Sequence, residues 1–250
     1  MSKKQFKLIN VYEQDEMKQF LKKSHNPNYD THHIDLPFRM LIIGSSGSGK
    51  TMTLINLLRA FSGTFQNINI ITKNADEPLY NFVADKFKKI NDDFNNPTSK
   101  SKKKHNFNVE ISEGLNTLPK LDSYDKNEQS LVILDDLVLE KNQKPIEEYF
   151  IRCRKQNVSI IYISQSYFAI PKMIRNNVNY MIIKQVSSKR NLKLIANEYS
   201  LDLDSKELNK LYDFCTDKLD NFLFIDIDHK DMRFRKNLSF VIDIESLKSI

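Results

Sequence analysis

The chain has 250 residues and a formal net charge of +6, with 40% hydrophobic and 28% charged residues. This composition fits one large α/β domain with a buried core, does not require disorder and is compatible with a polyanionic partner. No apolar run approaches the roughly 18 residues that a membrane span needs, and the first residues lack the apolar stretch of a secretion signal. The two cysteines, Cys153 and Cys215, are too few for a disulfide framework and suit a reducing compartment.

Short apolar runs alternate with amphipathic segments, which predicts a mainly parallel sheet covered by helices on both faces. We expect residues 1–35 to form an N-terminal extension and residues 36–250 to form one domain. The predicted strands are Phe38–Ile43, Ile68–Thr72, Val109–Ile111, Leu131–Leu134, Ser159–Ile163 and Tyr180–Lys184. The predicted helices are Glu13–Lys23, Lys50–Phe61, Pro78–Ile90, Pro145–Lys155, Ser188–Tyr199 and Ser205–Phe214, with a further helix and loop within 112–129.

Two other segments have their own character. Residues 91–108 are rich in Asn, Asp, Lys and Ser and include the run Lys100–Lys104. Such a composition is typical of a solvated surface loop between a helix and a strand, and a basic loop that contacts DNA is the alternative. Near the end of the chain, two apolar runs within 220–235 predict a hairpin that turns at Asp228–Asp231.

The segment Gly44–Thr51 reads Gly-Ser-Ser-Gly-Ser-Gly-Lys-Thr and matches the pattern G-x-x-x-x-G-K-[ST] without departure. Glycines let the backbone wrap closely around phosphate, and the following helix presents its positive N-terminal end to the same charge. We expect Lys50 to reach the β- and γ-phosphates and Thr51 to place its hydroxyl on Mg²⁺. A glycine-rich turn without a ligand is the alternative. The predicted nucleotide-binding residues are Gly44, Ser45, Ser46, Gly47, Ser48, Gly49, Lys50 and Thr51.

Two aspartates follow the apolar run Leu131–Leu134. In an open parallel sheet ligands gather at the carboxyl ends of the strands, so both side chains should face the phosphate loop. We expect Asp135 to hold Mg²⁺ through water, and Asp136 to orient and polarise the attacking water. The alternative is an ordinary strand end with a solvated cap.

A glutamine ends the next predicted strand, in the sequence Ser159–Ser166. The neutral amide of Gln165 can bond both a γ-phosphate and the attacking water, so it can report which nucleotide is bound; a simple strand cap is the alternative. Before this strand, Arg152 and Arg154 are candidates for an arginine finger that neutralises charge on the transferred phosphoryl group, often from a neighbouring subunit. Basic residues at a helix C-terminus are also common dipole partners.

These motifs together resemble the genome-packaging ATPases of large DNA viruses and virophages, the poxvirus-type branch of the FtsK–HerA superfamily. The resemblance covers about residues 36–184. It departs at Arg152–Lys155, where the family often has Arg-Gly-Arg-His, and at Asp136, where relatives frequently have Glu. The segments that carry it are Phe38–Thr51 (Walker A), Asn74–Tyr80, Leu131–Asp136 (Walker B) and Arg152–Phe168.

The resemblance implies an α/β P-loop NTPase fold of the ASCE (RecA-like) type and a ring-forming homo-oligomer that uses ATP and Mg²⁺ to drive double-stranded DNA into a preformed capsid. ATP would lie between subunits, with Arg154 of the next subunit completing the site. DNA would be held by its backbone without sequence readout, with Lys100–Lys104 and Lys189–Arg190 as candidate contacts.

The same resemblance places the motor at a capsid or portal-like vertex, in the host cytoplasm or viral factory, with association with the virion as a further option. Three other functions stay open at this point: a DNA motor of the segregation or conjugation type, a nucleotide-dependent assembly factor and a small-molecule kinase. The kinase would need an acceptor pocket and an arginine-rich lid, for which the late part of the chain offers no obvious candidate.

Overall fold

The computed structural model of this chain describes residues 9–10, 14–18, 24–95, 107–199 and 201–245. Its strands form one sheet in the order β3-β2-β4-β5-β1-β6-β7-β8-β9. The strands are β1 (Arg39–Ile43), β2 (Asn67–Thr72), β3 (Asn108–Glu113), β4 (Ser130–Asp135), β5 (Val158–Ser164), β6 (Tyr180–Ile183), β7 (Leu223–Asp226), β8 (Phe234–Lys236) and β9 (Phe240–Val241). The α-helices are α1 (Asp15–Lys18), α2 (Tyr29–His32), α3 (Lys50–Ala60), α4 (Pro78–Asn95), α5 (Lys144–Arg152), α6 (Lys172–Arg175), α7 (Arg190–Glu198) and α8 (Ser205–Cys215).

Strands β1 to β6 pair in parallel, and β7 to β9 extend the sheet in antiparallel pairs. β5 lies between β1 and β4, so one strand separates the phosphate-loop strand from the strand that ends in the two aspartates. Because all three strands run the same way, their carboxyl ends meet at one edge of the sheet. This is the mainly parallel α/β fold that the sequence predicts.

Helices cover both faces of the sheet because the central strands are apolar on both sides. Met40 and Ile42 pack with the buried side chains of α3 and α4, whereas Leu41 and Ile43 pack with those of α5, α7 and α8. This alternation follows the two-residue period of a strand. Every residue of β4 and β5 is buried, as expected of central parallel strands.

The described part of the predicted N-terminal extension packs onto this core. Ile34 is fully buried together with the residues under α3. Asn28 donates from its side-chain amide to the carbonyls of Ala60, at 3.1 Å, and Ser62, at 2.8 Å, at the C-terminal end of α3. Of the predicted helix Glu13–Lys23, the described helical residues are Asp15–Lys18.

The helix predicted within 112–129 is wrong. This stretch contains two 3₁₀ turns, Leu115–Thr117 and Leu121–Ser123. Gly114 has φ +85°, and Pro119 lies between the turns, so a continuous helix cannot form there.

The other boundaries differ at their ends. α4 continues to Asn95, past its predicted end at Ile90 and into the predicted 91–108 loop, and β3 begins at Asn108. The run Lys100–Lys104 lies outside the described residues. The late hairpin is confirmed by antiparallel pairing of β7 with β8, whose register places Ile225 opposite Phe234. The two-residue strand β9 follows it and was not predicted, since it is too short to show a period. None of the described helices has the length and apolar composition that a membrane crossing requires.

Candidate nucleotide-binding site

The phosphate loop connects β1 directly to α3. Gly44 N–H donates to the Ser164 carbonyl at the end of β5, at 3.2 Å, and Ser45 N–H donates to the Gln185 carbonyl after β6, at 2.9 Å. Gly47 and Gly49 have φ values of +72° and +81°, a region that glycine adopts without strain. The two neighbouring strands therefore hold the start of the loop, and two glycines turn it into the first residue of α3.

Gly44 is required for a different reason, which is the close approach of its neighbours. A Cβ at this position would lie 2.5 Å from Ser48 Oγ and 2.6 Å from Lys184 Cβ. Ser48 Oγ is itself buried and has no hydrogen-bond partner among the described residues. Any side chain at position 44 would therefore displace the loop from Lys184, the residue that follows β6.

Lys50 is half-buried at the start of α3 and donates from Nζ to the Ser45 carbonyl at 2.9 Å. Burial lowers the pKa of Lys50, and the nearby carboxylates of Asp135 and Asp136 oppose this shift. This electrostatic effect of the two aspartates on Lys50 reflects their proximity, so the fold brings the loop lysine and both carboxylates to the same place. Thr51 is the next residue of α3 and is half-buried.

Asp135 ends β4 with 8% of its surface exposed, and its Oδ2 accepts a hydrogen bond from the phenol of Tyr80 in the first turn of α4. Burial raises the pKa of the Asp135 carboxyl, while the bond from Tyr80 opposes the rise. Oδ1 has no hydrogen-bond partner among the described residues. One carboxylate oxygen is thus held in place and the other is left for a ligand.

Tyr80 is a site residue that the sequence analysis did not single out. It is 1% exposed and its pKa is raised, first by burial and then by the Asp135 charge. The only signal in the sequence is its place in Asn74–Tyr80, the segment after β2 that shares the family resemblance.

Asp136 and Gln165 lie side by side at the same edge of the sheet. Gln165 Nε2 is 3.4 Å from Asp136 Oδ1. Asp136 has φ +55°, an uncommon conformation for a residue with a side chain, and its N–H donates to the Ile163 carbonyl at 3.4 Å. Asp136 is half-buried and Gln165 is exposed, so both can meet a solvent molecule.

The two arginines lie at the opposite edge of the sheet, just before β5 begins. Seven residues of β5 separate this edge from Gln165, a span of about 20 Å. Arg152 is ion-paired with Glu148 and with Asp122. The Arg154 side chain is exposed and makes no ion pair or hydrogen bond with a described residue. The structure does not bring either arginine to the site of its own chain.

A second feature missed by the sequence analysis is the segment after β6, which contacts the phosphate loop. Ser187 N–H donates to Ser45 Oγ at 2.7 Å. Lys184 is buried beside the loop and donates from Nζ to the carbonyls of Leu219, at 2.6 Å, and Asn221, at 3.1 Å. These contacts join the phosphate loop to the segment before the late hairpin, and they arise from residues far apart in sequence.

The fold is similar to that of solved viral proteins. The genome packaging NTPase B204 from Sulfolobus turreted icosahedral virus 2, in complex with AMP, gives a TM-score of 0.55 at 13% identity and covers 82% of this chain and 98% of that one. The same protein in complex with ATP-gammaS gives 0.53 at 16% identity and covers 82% and 100%. At these identities the likeness shows the fold.

The sequence is also similar to curated poxvirus proteins. The DNA packaging protein OPG160 of Variola virus is 28% identical over 156 residues, which are 62% of this chain and 55% of that protein. The protein of the same description from Vaccinia virus (strain Copenhagen) gives the same values. The chain therefore spans about half the length of these relatives. The sequence profile of the family described as Poxvirus A32 protein matches residues 28–232. Since this match covers most of the chain, the protein belongs to the poxvirus A32 protein family.

Proposed function

We propose that this chain is an ATPase that drives double-stranded DNA into a viral capsid. The observation that carries the proposal is the convergence of Gly44–Thr51, Asp135, Asp136 and Gln165 at one edge of the sheet, with β5 between the two motif strands. The relatives' description as DNA packaging proteins, and that of the structures of similar fold as a genome packaging NTPase, support the same function.

The phosphate loop would hold a nucleoside triphosphate by its backbone N–H groups, and Lys50 would exchange its bond to Ser45 for the β- and γ-phosphates. The donor set fits Mg²⁺, because the Thr51 hydroxyl and the free Oδ1 of Asp135 are hard oxygen ligands. When bound, Mg²⁺ neutralises charge that develops on the phosphates. Tyr80 would keep the Asp135 carboxylate oriented for this role.

Asp136 and Gln165 are proposed to act on the attacking water. The water oxygen bonds to the γ-phosphorus as the bond to the β–γ bridging oxygen breaks, giving ADP and phosphate. Asp136 would accept the proton that the water loses, and the Gln165 amide would orient the water towards the γ-phosphate. Their separation of 3.4 Å allows one water to contact both side chains.

A second subunit would complete the site. Arg152 and Arg154 lie at the far edge of the sheet, so an arginine finger would have to come from another copy, as in a head-to-tail ring. Arg154 is the better candidate because Arg152 is already ion-paired. We propose further that the ring holds the DNA backbone without sequence readout and works at a capsid or portal-like vertex in the host cytoplasm or viral factory.

Steady-state ATP turnover with and without duplex DNA tests the proposal. We expect DNA to raise the turnover of the wild-type protein and Lys50→Ala to abolish it, whereas Lys141→Ala, an exposed lysine outside the site, should have no effect. ATP turnover that does not depend on DNA but requires a small phosphate acceptor would instead show a kinase. Slow turnover under every condition would point to a nucleotide-dependent assembly factor.

A further inference from the structure

An exposed aromatic ring lies three residues beyond Gln165. Phe168 is 59% exposed, although the preceding residue and its own backbone are anchored. Tyr167 is buried and donates to Glu198 at 2.6 Å, and Phe168 N–H donates to Asn191 Oδ1 at 3.3 Å. The segment after β5 therefore holds this phenyl ring out in the solvent at a fixed place.

Arg190, the first residue of α7, lies over this ring with its guanidinium carbon 4.8 Å from the ring centroid. Lys193 follows one helical turn later and shares its face. Both cations are exposed, and neither forms an ion pair with a described residue. We name Phe168, Arg190 and Lys193 the Phe168–Arg190 surface.

Two carboxylates of the helices α7 and α8 are already ion-paired with other residues. Glu198, the one carboxylate of α7, bonds Arg175 at 2.5 Å, and Asp213 of α8 bonds Lys189 at 2.7 Å. Of the two sequence-based candidates for DNA contact at this place, Lys189 is therefore ion-paired within the chain and Arg190 is not. The remaining charge of the surface is positive, which suits a polyanion.

The surface connects to the nucleotide site on two sides. Phe168 follows Gln165 by three residues, and α7 begins three residues after Ser187, whose N–H holds Ser45 of the phosphate loop. A polyanion bound at the surface would thus contact the two chain segments that carry Gln165 and support the loop.

We propose that the Phe168–Arg190 surface binds the phosphodiester backbone of duplex DNA and couples DNA binding to ATP turnover. Arg190 and Lys193 contact phosphates. The Phe168 ring holds the Arg190 guanidinium over its face, so that the N–H groups can bind a phosphate. Arginine suits this role because its planar fork binds phosphate and stacks on an aromatic face at the same time. The inference rests on the proposed function, of which it names the DNA-contacting residues.

The test is a salt series of DNA affinity, measured by fluorescence anisotropy on a labelled duplex of mixed sequence. Arg190→Ala/Lys193→Ala should weaken binding at least about fivefold and lower the salt slope by about one unit per lost phosphate contact. The matched control is Lys206→Ala/Lys210→Ala, which removes the same charge from exposed positions of α8. An equal loss in the control would overturn the proposal, as would unchanged affinity and slope in the test variant.

The variant Phe168→Ala distinguishes the coupling of DNA binding to ATP turnover from the electrostatic attraction of DNA. It should leave the salt slope and the turnover without DNA unchanged, weaken duplex binding about two- to fivefold and reduce the stimulation of turnover by DNA. Retained stimulation overturns the coupling. If the affinity of the variant instead falls more than about tenfold for single-stranded DNA and is unchanged for the duplex, the surface stacks bases and the assignment to duplex DNA is wrong. If the wild-type protein binds no DNA, the proposed function fails together with this inference, whereas a failure of the variants alone leaves that function standing.

Discussion

Tyr80 donates a hydrogen bond to Oδ2 of Asp135, and both side chains are buried beneath the edge of the sheet where the phosphate loop lies. The two residues are 55 positions apart and come from α4 and β4. Burial raises the pKa of Asp135 and the bond from Tyr80 opposes that rise. Tyr80 therefore favours the ionised form of this buried carboxylate and fixes its Oδ2, which suits the metal-binding role proposed for Asp135.

Replacement of Tyr80 by Phe tests this relationship. The variant loses the donor, so Asp135 should bind a proton more readily and Mg²⁺ less tightly. Because a hydrogen bond to a charged group contributes about 1.5–3 kcal/mol, the Mg²⁺ concentration for half-maximal turnover should rise at least about tenfold. Tyr124→Phe is the control, since that hydroxyl bonds Asn69 away from the site. An unchanged Mg²⁺ requirement in Tyr80→Phe would rule out the positioning role.

Asp135 should also cost the nucleotide-free protein stability at neutral pH. Its folded-state pKa is raised above the ordinary value of 3.8, so the folded state favours the protonated form. Stability from this group is full below pH 3.8 and is lost as the pH rises through the folded-state pKa. Asp135→Asn should therefore raise the midpoint of thermal unfolding at pH 8, because it removes the desolvation penalty of the buried charge, while abolishing turnover. The gain should shrink as the pH falls towards 4, and an unchanged or lower midpoint at pH 8 would contradict it.

Gln165 should matter for hydrolysis and little for binding, since it lies beside Asp136 and outside the phosphate loop. We expect Gln165→Ala to bind ATP with wild-type affinity and to hydrolyse it about a hundredfold more slowly, because the attacking water loses the amide that orients it. Gln165→Glu should be at least as slow, because it places a second carboxylate next to Asp136. Single-turnover hydrolysis and equilibrium nucleotide binding separate the two effects. A loss of affinity without a loss of rate would give Gln165 a binding role.

The opposite placement of Lys50 and Arg154 predicts complementation between inactive variants. Lys50→Ala and Arg154→Ala should each be inactive alone, but a shared site with an intact loop from one subunit and an intact arginine from the next exists in a mixed ring. Random mixing in equal amounts should restore about a quarter of wild-type turnover. Arg152→Ala mixed with Lys50→Ala is the control for the paired arginine. A mixture that stays inactive would contradict an arginine supplied between subunits.

Much of the fold was predictable because each central strand is a continuous apolar run, and a run such as Leu131–Leu134 has few alternatives in a chain with helices between strands. The helix predicted within 112–129 failed because local breakers, Gly114 and Pro119, outweighed a weak apolar period. The strand β9 has two residues and lacks any period to detect.

The residues of the candidate site also divide into those that could be predicted from the sequence and those that could not. Lys50 was visible because the chemistry of phosphate binding fixes the spacing of the loop, and Asp135 because it ends an apolar strand. Tyr80 and Lys184 were not, since their roles come from contacts with residues 55 and 35 positions away that only the folded sheet brings together. The sequence motifs alone also could not show that Arg154 lies at the edge of the sheet opposite its own phosphate loop, because that depends on the direction of β5.

Movement along duplex DNA is the central claim, and displacement of a third strand measures it directly. A triplex-forming oligonucleotide on a linear duplex is released when a motor passes beneath it. We predict release by the wild-type protein with ATP and Mg²⁺, and none with ATP-gammaS or with Asp136→Asn. A wild-type protein that binds the duplex and hydrolyses ATP but leaves the third strand in place, whichever end it starts from, would contradict translocation.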